Sequence, residues 1–167
     1  MAPVMPHDAD DPGDLAALAE HAAALADAVE ATLPGWVERA VAMRWRQWAG
    51  GPPPAELEGQ ARAAGERARH EVVPALRALL EADVDSQRTT PLAVVRRAVV
   101  PATEVLEAAG VPPVERDEHA VRLFPDDAYD LAPATFGDLD ASLHEPGLTW
   151  GAAKAHVVIR RRRAEGR

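Results

Sequence analysis

Residues 14–36 read DLAALAEHAAALADAVEATLPGW. Leu15, Leu18, Ala22, Leu25, Val29 and Leu33 recur at steps of three and four, the spacing that stacks side chains on one face of a helix. Pro34 has no N–H to donate and Gly35 disfavours a helix, so the pair is expected to end this element. A second helix then runs from about Trp36 to Trp48 and stops at AGGPPP, residues 49–54. A third starts near Pro54 and carries Leu57, Ala61, Ala64, Ala68, Val72, Leu76 and Leu79 on one stripe. After the polar link DVDSQR (83–88), Thr90 is expected as an N-cap, with Pro91 at the first helical position of a fourth helix. That helix reaches Ala109, where Gly110, Pro112 and Pro113 end it. Pro74 and Pro101 fall inside helical patterns, and each is expected to kink or break its helix.

Beyond Pro113 the pattern is less regular. A short helix is expected near Glu115 to Leu123, then a loop, FPDDAYDLAP. Another helix opens at Thr135, with Asp138 three residues on forming a capping box, and a last one runs from about Gly147 to Arg163. No segment alternates apolar and polar residues as a half-buried strand would. The fold class is therefore all-α: a helical bundle of about four core helices plus a smaller, loop-rich helical C-terminal part. Residues 1–13, rich in Asp and Pro, read as a mobile acidic arm on a single helical domain spanning 14–167.

Composition narrows the chemistry. The chain has no cysteine, which removes thiolate nucleophiles, cysteine-bound zinc and disulfides, and it has no asparagine, two serines, one tyrosine (Tyr129) and one lysine (Lys154). Abundant Ala, Arg, Val and Pro beside scarce Lys, Ile and Asn match the drift of a high-G+C bacterial genome. Arginine is therefore weak evidence for phosphate recognition. No apolar run approaches membrane-spanning length and the first residues are acidic, so a soluble cytoplasmic protein without a membrane anchor is expected. Residues 1–30 carry seven acids and no base, 81–147 carry fourteen acids against five bases, and 148–167 carry six bases against one acid. An acidic body with a basic end is not the extended basic face of a nucleic-acid binder.

The interleaved tryptophans and arginines of MRWRQWAGGPPP (43–54) have a simple geometric reading. At about 100° per residue, Val37, Val41, Trp45 and Trp48 share one helix face, and Arg39 and Arg46 stand opposite it. Trp45 and Trp48 are thus expected as core anchors, with Trp36 outside the face. HEVVP (70–74) begins like a zinc-protease motif, but Pro74 stands where the second histidine ligand is needed. Glu66 and His70, four apart, read as a surface pair rather than a metal site. DVDSQR opens like a calcium loop and lacks the glycine and final acid such a loop requires. No cofactor or metal is expected.

Two regions remain as candidate sites. The densest polar segment, ERDEHAVRLFPDDAYD (115–130), brings Arg116, Asp117, His119, Asp126 and Asp127 together, and carboxylates beside Arg and His can do acid–base work or hold a ligand. The same acids can equally cap helices and pair with Arg116 and Arg122. The other candidate is GLTWGAAKAHVVIRRRR (147–163), where Leu148, Ala152, Ala155 and Ile159 form one stripe while Trp150 and Val157 lie on the other side. A helix apolar on two faces is central in a fold or covered by a partner. The leading expectation is a non-enzymatic interaction or regulatory module. It would self-associate or dock a protein partner through Trp150, Val157, Lys154, Arg160 and Arg161. A small enzyme or ligand-binding protein using the 115–130 segment is the alternative.

Overall fold

A computed structural model describes residues 12–81 and 89–144 of the chain, and its elements are all helical. Helix α1 spans Pro12–Ala49 and α2 spans Ala55–Glu81. A third rod follows in three pieces: α3 (Pro91–Val95), a 3-10 turn (Arg96–Ala98) and α4 (Val99–Ala108). Thr90 caps α3 as expected, its hydroxyl accepting the Ala93 N–H at 3.2 Å, with Pro91 at the first position. The remaining elements are short: α5 (Glu118–Leu123), α6 (Phe136–Leu139) and a final 3-10 turn, Ala141–His144. The all-α bundle is as the periodicity indicates.

The expected break at Pro34 and Gly35 does not occur. Helix α1 runs through both residues as one element of 38 residues, about 57 Å at 1.5 Å per residue. An interior proline costs a helix about 3 kcal/mol. Against that stand Val29, Leu33, Trp36, Val37, Ala40 and Val41, all buried on one uninterrupted face. Burying a side chain such as Leu or Val is worth about 1.5–3 kcal/mol, so ending the face at Leu33 would cost more than the proline does. Two expected helices are therefore one, and the core of the bundle is three rods: α1, α2 and α3–α4.

Helices α1 and α2 run antiparallel, as their cross-links show. Pro34 meets Gly65, and Arg77 reaches Asp27 (2.6 Å) and Glu30 (2.8 Å). The close point is Gly65, where an added Cβ would lie 2.8 Å from the Pro34 carbonyl oxygen and 2.9 Å from its Cα. Pro74 also sits inside an unbroken α2, exposed, on the side away from the core. Pro101 behaves differently: it stands at the third position of α4, directly after the 3-10 turn. Its missing N–H leaves the Arg97 carbonyl without its α-helical donor, and a tighter turn is the local solution.

The tryptophan assignment is reversed in part. Trp36 is buried, with 6% of its surface exposed, because it continues the α1 core face three residues after Leu33. Trp48 is 49% exposed and lies edge-on to the half-buried Trp45, ring centroids 5.3 Å apart. Helix α1 ends one residue later, and the chain turns away through Gly50 at a positive φ of 77°, a conformation glycine adopts at little cost.

Residues 111–144 wrap against the C-terminal half of α1. The Arg44 guanidinium donates to the Tyr129 carbonyl and that of Arg39 to the Leu139 carbonyl, each at 2.6 Å. Arg96 of the third rod donates to the Pro133 carbonyl at 2.9 Å and stacks over Phe124. Arginine side chains thus hold an irregular segment by its backbone oxygens. Leu131, Leu139 and Leu143 anchor the same segment in the core.

Candidate functional site

The 115–130 segment is built from its own polar side chains. Asp117 caps α5, its carboxylate accepting the Ala120 N–H at 2.8 Å, and so fixes where a helix of only six residues begins. Arg116 closes the other end, donating to the carbonyls of Phe124 (2.8 Å) and Ala120 (3.0 Å). Asp127 is fully buried. One of its oxygens accepts the N–H groups of Leu131 at 2.9 Å and Tyr129 at 3.4 Å, and the other accepts that of Ala132 at 2.8 Å. Three of the five candidate residues therefore hold backbone. His119 and Asp126 are exposed.

Tyr129 completes this construction. Its ring is fully buried and its hydroxyl donates to the Val111 carbonyl at 2.5 Å, tying the end of the segment to the chain just before its start. Burial pushes the phenol above its ordinary range, and Glu107 adds to the effect. A raised folded-state value means both states stay protonated below about pH 10. Above that pH the unfolded chain ionises first, so stability falls as pH rises through the folded value. Tyr129→Phe should cost about 1–2 kcal/mol in urea unfolding at neutral pH, from the lost hydrogen bond and the unpaired carbonyl. The variant should also lose the part of the alkaline destabilisation that this phenol causes.

Asp130 follows at φ 57°, the left-handed region, and turns the chain toward a cleft of about 960 Å3. Helix α1 gives this cleft Trp36, Arg39, Met43 and Arg46, and the first turns of α2 give Leu57, Glu58, Ala61 and Arg62. The third wall is Asp130 to Ala134 together with Asp138. Small and apolar side chains floor the cleft, and charges of both signs stand around it. Such a volume is at the upper end of ordinary ligand sites.

The capping box expected at Thr135 and Asp138 forms. The Asp138 carboxylate accepts the Thr135 N–H at 2.8 Å, and that bond, with others from the same turn, holds its pKa below the usual range. This contribution is present above the unfolded carboxylate value and is lost as pH falls through the folded one. Acid should therefore loosen the third wall of the cleft.

Glu66 pairs with Arg69 at 2.6 Å, not with His70, which is exposed. Among the described residues no cluster of three His, Asp or Glu side chains is arranged to hold a metal ion. None of their helices is long and apolar enough to cross a membrane. The DVDSQR link and the C-terminal residues Trp150, Lys154, Val157, Arg160 and Arg161 lie outside the described residues. Sequence reasoning missed the cleft because its walls come from segments about 20 and 90 residues apart. The one local signal is Trp36, which a helix restarting there would place outside the core face.

Comparison with family models, curated proteins and solved structures returned no match to this chain.

Proposed function

We propose that the protein is a non-enzymatic cytoplasmic interaction module, which self-associates or docks a protein partner through its C-terminal segment. Trp150 and Val157 would make the apolar contact, with Lys154, Arg160 and Arg161 beside them. The observation that carries this reading is what the densest polar segment does with its side chains. Arg116, Asp117 and Asp127 are committed to backbone groups. Arg39 and Arg44 likewise hold carbonyls of the wrapping segment, which takes two cations away from any nucleic-acid surface.

Light scattering on a sizing column, read at 260 and 280 nm, tests the proposal with protein purified gently from its host. A mass above the 17.8 kDa of one chain, with protein-like absorbance, is the expected result. Trp150→Ala should then weaken assembly at least tenfold, about 1.4 kcal/mol or more, while circular dichroism stays unchanged. A clean monomer, or loss of helicity in the variant, would sink the reading. If a ligand binds instead, a thermal shift across metals and metabolites should reveal it.

A further inference from the structure

We infer that the cleft between α1, α2 and residues 130–138 is the seat of the chain's own residues 147–163, docked in cis through Leu148, Ala152, Ala155 and Ile159. This deepens the interaction reading and rests on it in one respect, that the segment acts as an amphipathic helix. The described residues stop at His144. His144 packs on Gly137 so closely that a Cβ there would fall 1.7 Å from the imidazole Nε2. Gly137 immediately precedes Asp138, a residue of the cleft wall. Only Glu145 and Pro146 separate His144 from Gly147, a reach of at most about 10 Å. The described residues therefore end beside the third wall of the cleft.

Length and shape agree. The cleft runs along α1 from Trp36 to Arg46, about 15 Å, and Leu148 to Ile159 spans about 16 Å as a helix. The stripe has its large residues at the ends and Ala152 and Ala155 in the middle. Ala40, Ala42, Ala61 and Ala132 line the receiving walls, so a helix backbone can come close. Met43, 47% exposed at one edge, would gain cover.

Charge adds a smaller term. Among the described residues no ion pair involves the lining carboxylates Glu38 and Glu58 or the lining arginines Arg46 and Arg62, while Arg39 is already committed to the Leu139 carbonyl, so the cleft offers charges of both signs. Residues 148–167 bring six bases against one acid. A two-residue tether gives the segment an effective concentration in the millimolar range, which favours its own cleft over that of a second copy. Docked this way, Trp150 and Val157 face outward, as the partner contact requires.

The absence of cysteine allows a direct test on the full chain. Ala42→Cys is paired in turn with Ala152→Cys, Ala155→Cys and, on the opposite face, Val157→Cys, then treated with a short bis-maleimide. A single-chain product at least tenfold more abundant for Ala152 or Ala155 than for Val157, and independent of protein concentration, is expected. A two-chain product would mean that the cleft takes the segment of a second copy, and equal or absent crosslinking would mean that it takes neither; each overturns the inference. Should the thiol pairs disturb folding, methyl spectra of methionine-labelled Ala152→Glu supply a second readout. The Met43 signal should move while those of Met1 and Met5 stay, and an unmoved Met43 counts against docking. The crosslink reads cleft occupancy and light scattering reads assembly, so either proposal can fail without the other.

Discussion

Asp127→Ala should lower stability by about 3–5 kcal/mol, one of the largest losses available to a single polar substitution in this protein. The carboxylate accepts the N–H groups of Tyr129, Leu131 and Ala132. Bonds to a charged acceptor contribute about 1.5–3 kcal/mol each, and buried donors left without a partner add their own desolvation cost. The bonds share two oxygens and one is long, so the total stays below the sum of three. In urea unfolding the midpoint should drop with little change in slope, and the thermal midpoint should fall by about 10 °C. Asp127→Asn keeps one acceptor oxygen and should lose about half as much. A loss below about 1 kcal/mol for the alanine variant would show that water or a rearranged loop replaces the carboxylate.

The second large effect lies at the crossing of α1 and α2. A Cβ on Gly65 meets the Pro34 carbonyl oxygen at 2.8 Å and the Pro34 Cα at 2.9 Å, and both are backbone atoms that no rotamer change can move aside. Overpacking of this kind costs about 1–3 kcal/mol and should approach 3 for Gly65→Val. Gly65→Ala has the same clash but gains about 1 kcal/mol of helix propensity, so its net loss should be about 1–2 kcal/mol. Urea midpoints for the two variants check the ordering. A stabilised alanine variant would mean that the helices can separate freely there.

Much of the helix content was legible because apolar periodicity is local. The stripe from Leu57 to Leu79, the Thr90 and Pro91 start and the Thr135 and Asp138 box all appear in the structure where spacing places them. Pro34 does not end the helix as expected because a proline's cost is local whereas its compensation is tertiary: the buried run from Val29 to Val41 carries α1 across it. Trp36 and Trp48 exchanged roles for the same reason, since the register of the face follows from a helix beginning at Pro12, not at Trp36. Among the candidate residues, spacing located the polar cluster at 115–130 and could not say that its charges point at backbone. Asp127 and Asp126 are adjacent and chemically identical, and only the fold separates a buried hub from an exposed carboxylate.

The arginine clamps on the wrapping segment also order events in time. Helices α1 and α2 meet across a five-residue turn, so they can pair before the second half of the chain exists. The bonds from Arg44 to Tyr129 and from Arg39 to Leu139 close loops of 85 and 100 residues. Contacts so distant carry a larger closure entropy and are expected to form last. During synthesis, then, the floor of the cleft precedes its third wall. Until residues 130–138 leave the ribosome, Trp36, Leu57 and Ala61 lie beside an open flank, where a chaperone or another nascent helix has its opportunity to bind.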